Sequence, residues 1–170
     1  LLEKAISVST DSIFHFAAIV SAGAEKDFDL GMSVNLDATR AILDICRGHE
    51  TKPKLIFASS CAAFGGDMPN IITDMTARTP QTSYGTQKVI GELLVNDYSR
   101  KGFVDGRALR FPTVVVRPGK PNKAASTFAS SIIREPLQGQ TAICPVSPES
   151  KMFLASPRSI IENIVRAHNL

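Results

Sequence analysis

What this sequence lacks most plainly is an excess of charge. It has 19 Lys and Arg against 16 Asp and Glu, a net charge of +3, and the basic residues are scattered. That excludes the basic stripe of a nucleic-acid groove. Cysteine is scarce: Cys46, Cys61 and Cys144 form an odd set with no C-x-x-C pair and no metal-ligand spacing. This excludes a disulfide framework and a metal site, and it fits reduced thiols in a cytoplasmic protein. No apolar run is long enough to span a bilayer, and no signal-peptide pattern is present. A starting Met is also missing, and the chain opens in mid-pattern at "LLEKAISVSTDS". What is present is 44% hydrophobic and 21% charged over 170 residues, without Trp. That is the composition of a globular chain able to bury a core.

Strand and helix patterns alternate along it. "SIFHFAA" (12–18) reads as a short buried strand ending in small residues. "DFDLGMSVNLDATRAILDICRG" reads as a helix with Asp29 as N-cap, a stripe of Val34, Ala38, Ala41, Ile42 and Ile45, and a stop at Gly48. "PKLIFASS" has the near-continuous apolar centre of a parallel strand covered on both faces. A turn-rich loop leads to a helix capped by Thr82 or Ser83, with Val89, Ile90, Leu93, Leu94 and Tyr98 as its stripe and an end near Gly102. "GRALRF" is a further strand, and "TVVVRPG" is extended up to Pro118. Beyond it, "STFASSIIREPLQG" is a helix broken by Pro136 and Gly139, "TAIC" and "KMFL" are short strands, and Ser156 with Pro157 opens a last helix. The alternation predicts an α/β fold, a parallel sheet flanked by helices with a small mixed subdomain added.

The chemistry gathers at "TSYGTQKVIGELL". Tyr84 and Lys88 are four residues apart and share one helix face. A free phenol ionises near pH 10, too high for a base at neutral pH. An ammonium beside it favours the phenolate, and a cationic ring in the same site does so further. Such a pair suits alcohol oxidation, in which hydride leaves carbon as a proton leaves oxygen. A Tyr/Lys pair alone is ordinary, since a lysine on an amphipathic helix snorkels. The company of "FASSCAAFGG" changes its weight, because a strand ending in serines lies at the same edge of a parallel sheet as the start of the next helix.

A strand-end serine followed by Y-x-x-x-K at the next helix start resembles the short-chain dehydrogenase/reductase superfamily, in its extended branch, the NAD-dependent epimerase/dehydratase family. "HFAA", Asn35 in "SVNLDATRAILD", "FASSCAAFG" and "LRFPTVVVRPG" match further motifs of that family. The resemblance implies a Rossmann-like fold and Ser60, Tyr84 and Lys88 as catalytic groups, with Ser60 rather than Ser59 meeting the substrate hydroxyl. It implies NAD contacts at Phe16, Ala17, Ala18, Asn35, Ala58, Tyr84, Lys88, Phe111 and Pro112, with NADP left open. Substrate contacts would come from Ser60, Tyr84 and Thr113. Within the branch the chain looks most like a dehydrogenase oxidising a four-carbon sugar acid at C2 to the 2-oxo acid. The acid's carboxylate needs a cation, and the candidates are Arg117 and Arg134, with Arg134 favoured because its helix belongs to the substrate side. Lys120 and Lys123 read as solvated surface. The family's dimer would place the Tyr84 and Asn35 helices in a four-helix bundle, which implies a homodimer.

The pattern is broken at the front. No G-x-x-G-x-x-G phosphate loop is present, and no acidic residue can be assigned to the adenine ribose. The chain is therefore expected to lack roughly its first two βα units and to be cut short at Leu170. Residues 1–116 would be a partial dinucleotide domain and 117–170 a partial substrate subdomain. Two other readings stay open. A nucleotide-sugar epimerase or dehydratase uses the same scaffold, but Val20 stands where epimerases often carry Lys, and Cys61 and Ala62 stand where a dehydratase wants an acid. A catalytically silent relative is the third, favoured by the missing loop and opposed by the intact Ser60, Tyr84 and Lys88.

Overall fold

The computed structural model describes residues 2–119 and 125–170, so Lys120 and Lys123 lie outside the described residues. A short helix, α1 (Leu2–Ala5), leads into strand β1 (Ser12–His15). Helices α2 (Ser21–Lys26) and α3 (Phe28–Gly31) follow, then a π-helical turn over Met32–Asp37 that runs on into α4 (Ala38–Arg47). Strand β2 (Lys54–Ser60) precedes the long helix α5 (Ser83–Arg100), and β3 (Asp105–Phe111) completes the sheet. The three strands are parallel in the order β1-β2-β3. The register sets Phe14 beside Ile56, Ser59 beside Arg110 and Ser60 beside Phe111.

The two sheet faces are covered differently. Leu55 and Phe57 point to the face packed by Ile42, Leu43 and Cys46 of α4 and Val95 of α5. Gly91 lets α5 lie against the strand, since a Cβ there would stand 2.7 Å from Cζ of Phe57. The other face meets α7 (Pro157–Asn169). His168 of α7 stacks on Phe14 at 5.4 Å, its Nε2 is 2.8 Å from Ser12 Oγ, and its carbonyl accepts from Lys54 Nζ at 2.6 Å. A second parallel pair, β4 (Thr113–Val114) with β5 (Leu154–Ala155), and helix α6 (Phe128–Arg134) lie between β3 and α7 in the chain.

Several expectations change. The fully buried faces of the two long helices are not the stripes read for them: α4 buries Thr39, Ile42, Leu43 and Cys46, and α5 buries Gly85, Gln87, Lys88, Gly91, Glu92 and Val95 while Leu93 is exposed. The helix cap is Asp27, whose carboxylate accepts from Leu30 N at 3.0 Å, rather than Asp29. The stretch read as one helix is α3, the π-turn and α4 in series. "TAIC" forms no strand, and of "KMFL" only Leu154 does. Elsewhere the caps agree: Thr82 accepts from Gly85 N at 3.1 Å and Ser156 from Ser159 N at 3.1 Å.

Candidate active site

The carboxyl ends of β1, β2 and β3 and the first turns of α5 meet at one edge of the sheet, the ligand side of a parallel α/β fold. Tyr84 is the second residue of α5 and half-buried. The helix start is pressed against the turn after β2, since a Cβ on Gly85 would stand 2.2 Å from the Ala62 carbonyl oxygen. That turn is held by Ser60, whose Oγ accepts from Ala62 N at 3.1 Å. Burial pushes the Tyr84 phenol above its usual value, and the nearby Ser60 hydroxyl pulls the other way with a smaller effect. Ser60 and Tyr84 are thus together.

Lys88 is 1% exposed, with Nζ 4.7 Å from the centre of the Phe57 ring and 5.6 Å from that of Tyr84. Burial brings its ammonium down to about 8. The phenol of Tyr84 stands high rather than low, and burial is the leading reason. The aromatic faces around Lys88 attract its charge, but they do not replace water. Beside it His15 is held down to about 4 by burial first and by Lys88 second. Thr39 Oγ1 donates to the Asn35 carbonyl at 2.7 Å, so the 2.8 Å contact between His15 and Thr39 is donated by His15 Nε2. His15 is therefore a neutral, Nε2-protonated ring.

Asn35 is buried within the π-turn and its amide is fully engaged. Oδ1 accepts from Ile19 N at 2.8 Å, and Nδ2 donates to Ile19 O at 3.0 Å and to Gln87 Oε1 at 2.7 Å. It fixes the segment after β1, which carries Phe16, Ala17 and Ala18, to α5 next to Lys88. Phe16 and Ala17 are exposed and Ala18 half-buried. The Phe16 and Phe111 rings meet edge-on at 6.4 Å, across a strand whose positions on that face are the small Ala58 and Ser60. Pro112 and Thr113 follow, both half-buried. A cleft of about 1250 Å³ opens alongside, between the end of β3 and α7, bounded by Cys61, Phe64, Phe111, Pro112, Phe153 and Ile160. It borders the site without including Ser60, Tyr84 or Lys88.

The two candidate arginines are joined to each other. Arg134 Nη1 donates to the Arg117 carbonyl at 2.5 Å, and Nη2 to Glu135 at 2.5 Å. Arg117 N donates to Ser130 Oγ at 3.0 Å, while its Nη2 is buried with no hydrogen-bond partner among the described residues.

Sequence reasoning passed over Glu92, 2% exposed on α5. It receives Ser59 Oγ in a short hydrogen bond and a bidentate pair from Arg110 at 2.8–3.1 Å. Arg78 adds a contact at 3.3 Å. The available signal was a charged residue in each of two elements otherwise facing the core, Arg110 in "GRALRF" and Glu92 one turn past Lys88.

The model of the NAD dependent epimerase/dehydratase family matches residues 1–152. The D-erythronate dehydrogenase of Cupriavidus necator is 57% identical over 170 residues, all of this chain and 52% of that protein. That of Haemophilus influenzae is 57% identical over 169 residues, 99% of this chain and 54% of that protein. The solved structure of a nucleoside-diphosphate-sugar epimerase from Agrobacterium tumefaciens is 50% identical, with a TM-score of 0.93, over 98% of this chain and 50% of that one. The chain thus spans about half the length of the curated relatives it matches. With its parallel sheet, its helices on both faces and a family match over nearly its whole length, the chain belongs to the NAD dependent epimerase/dehydratase family.

Proposed function

We propose that the chain carries the catalytic groups of an NAD-dependent dehydrogenase that oxidises a small sugar acid of the D-erythronate kind at C2 to the 2-oxo acid. The observation that carries this reading is the 57% identity to two D-erythronate dehydrogenases along essentially the whole chain. Ser60, Tyr84 and Lys88 standing at one sheet edge support it. In this reading Ser60 orients the substrate hydroxyl and Tyr84 takes its proton. NAD supplies the hydride acceptor when bound. The exposed Phe16 and Ala17 and the half-buried Ala58, Phe111 and Pro112 form an apolar strip suited to a planar ring. Asn35 acts through Ile19, and Lys88, already poorly solvated, stands one helical turn from Tyr84 and is proposed to favour its phenolate once NAD is bound. Residues up to 116 would form the dinucleotide side and 117–170 the substrate side, with α7 returning to the sheet. A cytoplasmic homodimer completes the proposal.

A nucleotide-sugar epimerase is the second reading, favoured by the name of the Agrobacterium tumefaciens structure. The two separate by net redox change. The full-length protein is given D-erythronate with NAD, and separately a nucleotide sugar with NAD. NADH accumulating only with the acid, and lost in Tyr84→Phe by about 10² or more in kcat, is the expected result. An epimerised sugar with no NADH formed, and no turnover of the acid, would overturn the dehydrogenase.

A further inference from the structure

The Glu92 network lies beside the proposed catalytic groups. Each member adjoins a site residue: Ser59 precedes Ser60, Arg110 precedes Phe111, and Glu92 follows Lys88 by one helical turn. Ser59 and Arg110 are cross-strand partners in register, and both turn to the face where Glu92 waits. The carboxylate is 2% exposed and takes hydrogen bonds on both oxygens. The guanidinium of Arg110 is in turn fixed over the Phe64 ring at 5.3 Å, which ties in the turn after β2. Arg78 brings the loop before α5 to the same oxygen that Arg110 Nη2 holds. Four segments therefore share one ionised carboxylate: the ends of β2 and β3, the body of α5 and the loop that precedes it.

We propose that Glu92 and Arg110 are positioning residues, a buried clamp that sets the end of β2 against α5 and so holds Ser60 at the Tyr84 phenol. The geometry gives two reasons. A bidentate arginine–carboxylate pair is planar and fixes direction as well as distance. A side-chain displacement of about 1 Å in a reacting site lowers the rate by about 10², and nothing else among the described residues ties Ser59 to α5 by a side-chain hydrogen bond. The charge of Glu92 is paired with Arg110 and Arg78, and no ion pair joins it to Lys88 among the described residues. Holding the strand end is what remains. The role in turnover rests on the dehydrogenase reading; the clamp itself does not.

The test uses the full-length protein with ¹³Cζ-labelled tyrosine, the Tyr84 resonance being assigned by its loss in Tyr84→Phe. Ser59→Ala, Arg110→Lys and Glu92→Gln are compared, the first two being mild enough to fold if the third does not. The expected result is a Tyr84 resonance that moves and titrates at higher pH in the variants, because the hydroxyl of Ser60, which lowers the phenol, is carried away from it with the strand end. The Tyr98 resonance should stay put. kcat should fall about tenfold in Arg110→Lys, measured well below its melting temperature, with NAD affinity within about twofold. An unmoved Tyr84 resonance in Ser59→Ala and Arg110→Lys would reduce the network to a fold-holding role and overturn the proposal. If the parent protein has no dehydrogenase activity, the functional reading fails while the resonance still decides the clamp.

Discussion

Lys88 Nζ lies 4.7 Å from the centre of the Phe57 ring, 1% exposed, and no carboxylate among the described residues forms an ion pair with it. An ammonium in such a place lowers stability unless something compensates. The folded value of about 8 against the ordinary 10.5 is the measure of that cost, about 3 kcal/mol. Below pH 8 both states are protonated and the cost is fully present. Between 8 and 10.5 the unfolded chain holds the extra proton, so stability rises with pH. Lys88→Met should therefore be more stable than the parent to urea at pH 7, by up to about 3 kcal/mol. It should lose the stability rise between pH 8 and 10.5. Its turnover should collapse, its NAD affinity weaken, and any residual pH–rate profile move to higher pH. A Met variant less stable than the parent at pH 7 would show that the ammonium is well compensated.

His15 gives the acid-side counterpart. It is 6% exposed, neutral in the fold, and held at about 4 instead of 6.5. Above pH 6.5 neither state is protonated and the ring has no linkage. As pH falls from 6.5 to 4 the unfolded chain takes up the proton first, and stability falls by about 3 kcal/mol in total. His15→Gln, which keeps a donor for Thr39, should flatten that window. Unfolding curves at pH 7.5, 6 and 4.5 test it, and an equal slope in parent and variant would exclude His15 as the source.

Gly85 is the tightest contact at the site. A Cβ placed there stands 2.2 Å from the Ala62 carbonyl oxygen and 3.0 Å from the Pro80 side chain. Backbone on that side cannot yield as a flexible side chain would. Gly85→Ala should push the first turn of α5 away from the β2 turn, lowering stability by about 1–3 kcal/mol. It should lower kcat more than this loss explains, because Tyr84 moves with the turn. A variant of unchanged melting temperature and full turnover would mean that the helix start shifts without cost.

The two serines at the end of β2 have opposite partners. Ser59 Oγ is buried on Glu92, and Ser60 Oγ faces the Ala62 amide and the Tyr84 phenol. Ser60→Ala should lower kcat by about 10². Ser59→Ala should lose much less, since it loosens the strand end without removing a group that meets substrate. Initial rates of both variants at saturating NAD are the check. A larger loss in Ser59→Ala would place the substrate hydroxyl on the other face of the strand.

The order of this site was legible because a parallel sheet puts each strand end beside the next helix start. "FASS" and "TSYGTQK" therefore had to meet, and the apolar centre of β2 and the Thr82 cap marked their bounds. The π-turn around Asn35 was not legible, because the face it turns to the core carries the polar Asn35 and Thr39 ahead of Ile42, Leu43 and Cys46, and an apolar stripe does not mark it. Asp27 and Asp29 both suit a cap, and only the placement of Leu30 N decides between them. "TAIC" has strand composition, but a strand needs a partner, and none lies beside it in the described structure. Glu92 and Arg110 escaped because a buried ion pair joins residues whose proximity is tertiary. Each alone reads as a surface charge.

The carboxylate of the proposed acid substrate must be paired once it leaves water. Helix position alone favours Arg134. Its guanidinium, however, already donates to the Arg117 carbonyl, to Glu135 and, at 3.4 Å, to Ser131 Oγ. A carboxylate would have to displace Glu135 to reach it. Arg117 is different: its backbone is pinned by Ser130 and by Arg134, while its Nη2 is buried with no hydrogen-bond partner among the described residues. Pinned backbone and an unpaired guanidinium nitrogen are what a preorganised anion anchor needs. Arg117→Ala should raise KM for the acid by about tenfold or more with NAD affinity intact, and Arg117→Lys should recover part of the loss. Arg134→Ala should act more weakly on KM, by loosening the Arg117 backbone, and should lower stability. Should Arg134→Ala raise KM tenfold while Arg117→Ala leaves it unchanged, the anchor is Arg134 and Glu135 gives way to the substrate.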